Sequence, residues 1–140
     1  MLIMNSTQVR SEWSSVVDSV VREKPILFKR TRDRMFLANV GLLSELLEAY
    51  TFHASLFPEK DGSITISLDE TDLIENGENE QDARQKLAKS IYNYSEDYYN
   101  DFSYWSRGNR KSHKPYIFKA LILGDIEKIG GMIECRPGEI

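Results

Sequence analysis

Within its first fifty residues the chain changes hydrophobic period twice, from helical to strand-like and back. Val9, Trp13, Val16, Val17 and Val20 fall on one stripe at helical spacing, with Gln8, Arg10, Glu12, Ser14, Ser15 and Asp18 mostly elsewhere on the wheel. Valine is a weak helix former, so burial of the stripe has to stabilise this helix. The helix is expected to start at Ser6 or Thr7, whose hydroxyls suit a cap, and to run to about Arg22. Pro25 then introduces a β-rich run, Ile26 to Arg30, with Ile26 and Phe28 on one side and Leu27 and Lys29 on the other. A polar turn, Thr31 to Arg34, leads to a second apolar strand from Met35 to Val40. Gly41 breaks that strand, and Leu42, Leu43, Leu46, Leu47 and Tyr50 form a second helical stripe ending near Phe52. Strands apolar on both sides fit a sheet covered on both faces, as in a dimer.

The rest of the chain is organised differently. His53 to Gly62, with Pro58 and Lys60-Asp61-Gly62, reads as a connector. Ser63 to Leu68 alternates at period two and predicts a strand. Leu73-Ile74 predicts an edge strand, and Asn76-Gly77 a turn. Asn79 to Asp82 supplies a cap and an acidic first turn for a long helix. Its stripe comprises Ala83, Leu87, Ile91, Tyr94, Tyr98, Phe102 and Trp105, widened by Ala88, Tyr92 and Tyr99, and Gly108 ends it. Asn109 to Lys114 reads as a basic loop. Pro115 opens another helix to about Leu123, and a glycine-punctuated tail follows. The expected class is α+β: an N-terminal β-α-β-β-α module over residues 1–54, then a short strand pair and a helical unit over 55–140.

Charge narrows the function classes. The net charge of −4 is uneven: residues 1–50 hold seven basic and six acidic side chains, residues 51–140 eleven and sixteen. A near-neutral head can meet nucleic acid if its cations share a face, and an acidic remainder suits a basic protein partner. One cysteine, Cys135, precludes an internal disulfide and reads as a half-buried small residue. Lacking a signal-like start or a membrane-length apolar run, the chain reads as cytosolic.

Candidate chemistry concentrates in a few places. Ser6, Thr7 and Arg10 stand at a helix start, and Lys29, Arg30, Arg32 and Arg34 surround a hairpin turn. Both arrangements suit phosphate, although capping and solubility explain the same residues. Tyr92, Tyr98, Tyr99, Phe102 and Trp105 make the long helix aromatic enough for a partner surface, or for an internal core. Asp69, Glu70, Asp72 and Glu75 could hold a hard cation, but without the spacing of a calcium loop. His113 sits in the basic loop. No nucleophile–base pair, phosphate-cradling loop or dinucleotide motif points to an enzyme or a cofactor.

The order of elements, with Arg10 near the helix start and Arg30 at the end of the Pro-led strand, resembles the Phd/YefM family of antitoxins over residues 2–52. In this chain Val9 stands where alanine is usual, no glycine occupies the Arg32-Asp33-Arg34 turn, and Gly41-Leu42 replaces a Ser-Leu start. The run from Thr65 to Phe102 resembles the extension of longer Phd-like antitoxins paired with RelE-type toxins. The resemblance implies a homodimer that binds its own operator DNA, with Arg10 and Arg30 as contacts, and an acidic surface for a small basic ribonuclease toxin. The alternative is a dimeric interaction adaptor without DNA binding.

Overall fold

The computed structural model describes residues 3–139 and divides the chain into two compact units, Met1–Leu46 and Leu47–Ile140. The boundary expected at 54/55 instead falls inside a strand.

The N-terminal unit comprises β1 (Met4–Asn5), α1 (Ser6–Ser11), α2 (Trp13–Arg22), β2 (Ile26–Arg30), β3 (Asp33–Leu37) and α3 (Val40–Leu46). Residues 1 and 2, within the expected N-terminal module, lie outside the described residues. The helix expected as one piece breaks at Glu12, which has non-helical backbone angles (φ −113°, ψ 31°). Asn5, rather than Ser6 or Thr7, is the cap. Its side chain accepts from Gln8 N at 2.9 Å, and Gln8 Oε1 accepts from Asn5 N at 3.2 Å, a reciprocal capping box. β1 runs parallel to β2, and β2 antiparallel to β3. Alternation along these strands sends Ile26, Phe28 and Leu37 to one side, where they pack with Met4 against Val9, Val16 and Val20.

Trp13 does not join this core. It is 52% exposed, because Trp13, Val17 and Val21 follow a neighbouring stripe of α2, rotated from Val16 and Val20. Trp13→Ala is therefore expected to change stability by no more than about 1 kcal/mol, against about 3–5 kcal/mol for a core tryptophan, as measured by denaturant titration. The leucine stripe of the second helix is also less buried than its pattern implies. α3 ends at Leu46, and none of its residues is buried.

The second unit is built on a four-stranded sheet ordered β6-β5-β4-β7, comprising β4 (Phe52–Pro58), β5 (Ile64–Leu68), β6 (Ile74–Gly77) and β7 (Ile133–Pro137). β7 is parallel to β4, and the other pairs are antiparallel. The expected connector is thus mostly strand. Phe52 and Ala54 alternate with His53 and Ser55, and both apolar residues are fully buried. The strand pair becomes four strands because β7, unmarked by any long apolar run, closes the other edge.

Helix α4 (Glu80–Asn100) covers the sheet with Ala83, Leu87, Ala88 and Ile91. Asn79 caps it, accepting from Asp82 N at 2.8 Å. The helix ends earlier than its aromatic stripe suggests. Asp101 is non-helical, and α5 (Phe102–Trp105) restarts after it. A 3₁₀ turn (Gly108–His113), α6 (Lys114–Leu123, with Pro115 in its first turn) and α7 (Ile126–Gly131) follow. Ala120, Ile129 and Ile133 complete the main core.

Gly77, expected in a turn, ends β6 beneath the first turn of α4. A Cβ there would stand 2.3 Å from Ala83 N and 2.7 Å from Ala83 Cα. Backbone cannot yield as a side chain can, so Gly77→Ala should cost about 3 kcal/mol and lower the thermal midpoint by many degrees.

Candidate nucleic-acid interface and partner surface

Strand register brings the N-terminal candidates together. Asn5 pairs with Lys29 across the parallel β1–β2 ladder, so α1 begins beside the Lys29-Arg30 end of β2. Arg30 pairs with Asp33, and Lys29 with Arg34, leaving Thr31 and Arg32 as a two-residue turn. By alternation Arg30 lies on the helix-packed side of the sheet, while Lys29 and Arg34 lie on the opposite side. One end of the unit therefore carries Lys29, Arg30, Arg32 and Arg34 around the tip, with α1 starting next to it and Arg10 in the last turn of that short helix rather than at its start. Arg10, Thr7 and all four tip cations are exposed, and Ser6 is half-buried. Among the described residues, none of these cations forms an ion pair. Thr31 holds φ at +56°, the left-handed region that a glycine takes without penalty, so the departure noted in the turn sequence has a backbone consequence.

The opposite side of this sheet and α3 carry apolar surface without a covering layer. Phe36, paired with Leu27, is 55% exposed, and Val40 and Leu46 are each 63% exposed. Phe36, Val40, Leu42, Leu43 and Leu46 line a cleft of about 210 Å³.

The aromatic candidates of the second unit separate into two groups. Tyr98 is fully buried, and its hydroxyl donates to Arg110 O at 2.8 Å. Trp105 is partly buried, edge-on to Tyr94 with ring centroids 5.7 Å apart and under the Arg110 guanidinium at 4.9 Å. Both were expected at a partner surface; they instead fill an internal aromatic cluster, because the chain folds back through the 3₁₀ turn onto α4. Tyr92 is half-buried against the main core, and a hydrogen bond with Glu96 pushes its phenol pKa up. Tyr99 and Phe102 remain exposed at 56% and 39%, and Tyr104 joins them at 68%.

Polar residues that the sequence left scattered are brought together by the fold. His113, read as part of a solvated loop, is 8% exposed. Its Nδ1 lies 2.7 Å from the Tyr94 hydroxyl, to which Arg110 donates at 3.2 Å, and Arg110 also pairs with Asp72 at 3.3 Å. Spacings of 16 to 38 residues between these partners hide the cluster from local pattern reading. The four acidic residues considered for a cation are engaged separately. Asp69 pairs with Arg136, Glu70 with His53 at 2.5 Å, Asp72 with Arg110, and Glu75 accepts from Ser90. No group of three or more metal-ligating side chains occurs among the described residues. Cys135 is half-buried, and desolvation pushes its thiol pKa up, away from reactivity.

Among the described residues, no helix is long and apolar enough to cross a membrane. The chain thus combines a small unit whose sheet has a basic end with a second unit that exposes aromatic side chains. The chain belongs to the PHD-like family described as the antitoxin of RelE/RelB toxin–antitoxin systems, whose model matches residues 1–135. It is similar to a crystal structure from Syntrophomonas wolfei subsp. wolfei, an antitoxin part of a proposed toxin/antitoxin system. The two share 37% identity and a TM-score of 0.91, with 99% of this chain and 100% of that chain covered. No curated protein matches the chain. The protein is thus an antitoxin of a toxin–antitoxin system with a mixed α+β fold.

Proposed function

We propose that the chain forms a homodimer that represses its own operon and neutralises a RelE-like ribonuclease toxin by protein–protein binding, with no catalytic step of its own. The observation that carries the DNA reading is the β1–β2 register, which supports a basic end made of Lys29, Arg30, Arg32 and Arg34 beside the start of α1, the helix that carries Arg10. Local charge of this kind attracts phosphate even when the net charge of the chain is negative. Arg10 and Arg30 are the principal contacts. Ser6 and Thr7, relieved of capping by Asn5, can add hydroxyl contacts to phosphate.

Dimerisation is supported by the apolar surface of Phe36, Val40 and Leu46, which is costly to leave in water and resembles the centre of an interface. The N-terminal unit serves as the dimerisation and DNA-binding module and the second unit as the toxin-binding unit, with Tyr99 and Phe102 as its exposed contacts. The family's RelE/RelB description supports the toxin class. The acidic balance of residues 51–140 suits a basic partner.

Co-expression with a RelE-type toxin tests the toxin reading. The antitoxin should restore growth and co-purify with that toxin, and sedimentation of the free protein should give twice the mass of the chain. Growth arrest despite full expression would reject neutralisation, and a monomer at tens of micromolar would reject the homodimer.

A further inference from the structure

The cluster of Asp72, Arg110, Tyr94 and His113 has more order than a packing role requires. Tyr94 and His113 are 9% and 8% exposed, and their polar atoms meet at 2.7 Å. Arg110 donates to the Tyr94 oxygen, so the phenolic proton needs another acceptor, and His113 Nδ1 is the atom in reach. A neutral imidazole with Nδ1 unprotonated supplies that acceptor. The chain of donors runs from Arg110 to Tyr94 to His113, and Arg110 is anchored at its other side by Asp72. The same contacts hold the 3₁₀ turn against α4. Tyr98 donates to the Arg110 carbonyl, and the Arg110 guanidinium lies over Trp105. Tyr99, Phe102 and Tyr104, the exposed aromatics, belong to the segment that this clasp closes.

We propose that the Tyr94–His113 contact is a proton-operated latch: with Nδ1 unprotonated it accepts the Tyr94 hydroxyl and holds the Gly108–His113 turn against α4, and a proton on Nδ1 opens it. A protonated Nδ1 is a donor, so the Tyr94 proton loses its acceptor and a second cation appears beside Arg110. The charged and titratable groups facing His113 are Tyr94 from α4, Arg110 from its own turn and Asp72 from the β5–β6 connection; Tyr94 in turn acts on Tyr98, and Tyr104 on Arg110. Burial outweighs the others and holds the imidazole pKa below its ordinary 6.5, with Arg110 acting in the same direction and Asp72 opposing. The sign follows. The unfolded chain takes up the proton first, so the latch contributes fully above about pH 6.5 and is lost as pH falls below it.

The chain contains two histidines, His53 and His113, so the imidazole proton resonances of the intact protein separate into two titrations, assigned with His53→Asn. The His113 resonance should titrate below pH 6.5 and move upward in Tyr94→Phe. In a Trp13→Phe background, Trp105 fluorescence should step over the same range and stay flat in His113→Asn, whose side-chain oxygen can replace Nδ1 as an acceptor without titrating. A His113 titration at or above 6.5, or a Trp105 step unchanged in His113→Asn, would overturn the latch. Should His113→Asn fail to fold, the wild-type and Tyr94→Phe resonances still decide the question.

Discussion

Phe52→Ala is expected to destabilise the second unit by about 3–5 kcal/mol, the range for removing a buried aromatic ring. Phe52 is fully buried at the start of β4, which is hydrogen-bonded on both sides, to β5 and to β7. Its ring meets Tyr116 of α6 at 6.3 Å, and the cavity left by alanine would open beneath the helical layer. Against a typical domain stability of about 5–15 kcal/mol this is a large fraction, and urea unfolding should show a much lower midpoint. A residue frayed at a helix end would cost under about 1 kcal/mol. A small loss would therefore mean that the strand is misplaced.

The second large effect concerns DNA. Arg10→Ala and Arg30→Ala should each weaken binding to the upstream DNA about tenfold, in keeping with the loss of a hydrogen bond made by a charged donor. Both residues are exposed, so the melting temperature should hardly move. If each arginine neutralises one phosphate, the double variant should also lower the slope of log affinity against log salt by about 2. Unchanged affinity in both single variants, with the dimer intact, would remove these residues from the interface.

How much of this was legible in the sequence depended on where the deciding partner lies. The Asn79 cap, the α4 stripe from Ala83 to Ile91 and the alternation of Ile26 to Lys29 are local patterns, and the structure reproduces them. Trp13 followed the right period on the wrong side, because a stripe broad enough to take in Val9, Trp13 and Val17 does not specify which edge meets the sheet. Phe52 was attached to a preceding leucine run, although its alternation with His53 and Ala54 carried the strand signal. β7 was missed because its ladder partner, β4, lies about eighty residues earlier, and a short strand at a sheet edge needs no long apolar run.

The candidate sites divide in the same way. The basic end could be anticipated from arginines flanking a turn, yet its position beside the start of α1 depends on the parallel pairing of Asn5 with Lys29. Tyr98 and Trp105 share the helical spacing of Tyr99 and Phe102, and only the return of the 3₁₀ turn decides which of them are covered. The Tyr94–Arg110–His113 cluster is wholly tertiary, and no spacing rule would have found it.

The central proposal is that the basic end reads DNA as part of a dimer. Fluorescence anisotropy of the purified protein on its own upstream DNA, set against scrambled DNA across a salt series, tests it most directly. Preferential binding to the upstream sequence, falling steeply as salt rises, is the result expected. Equal and weak binding to both DNAs at low salt would contradict it, and would leave toxin binding as the antitoxin's remaining role.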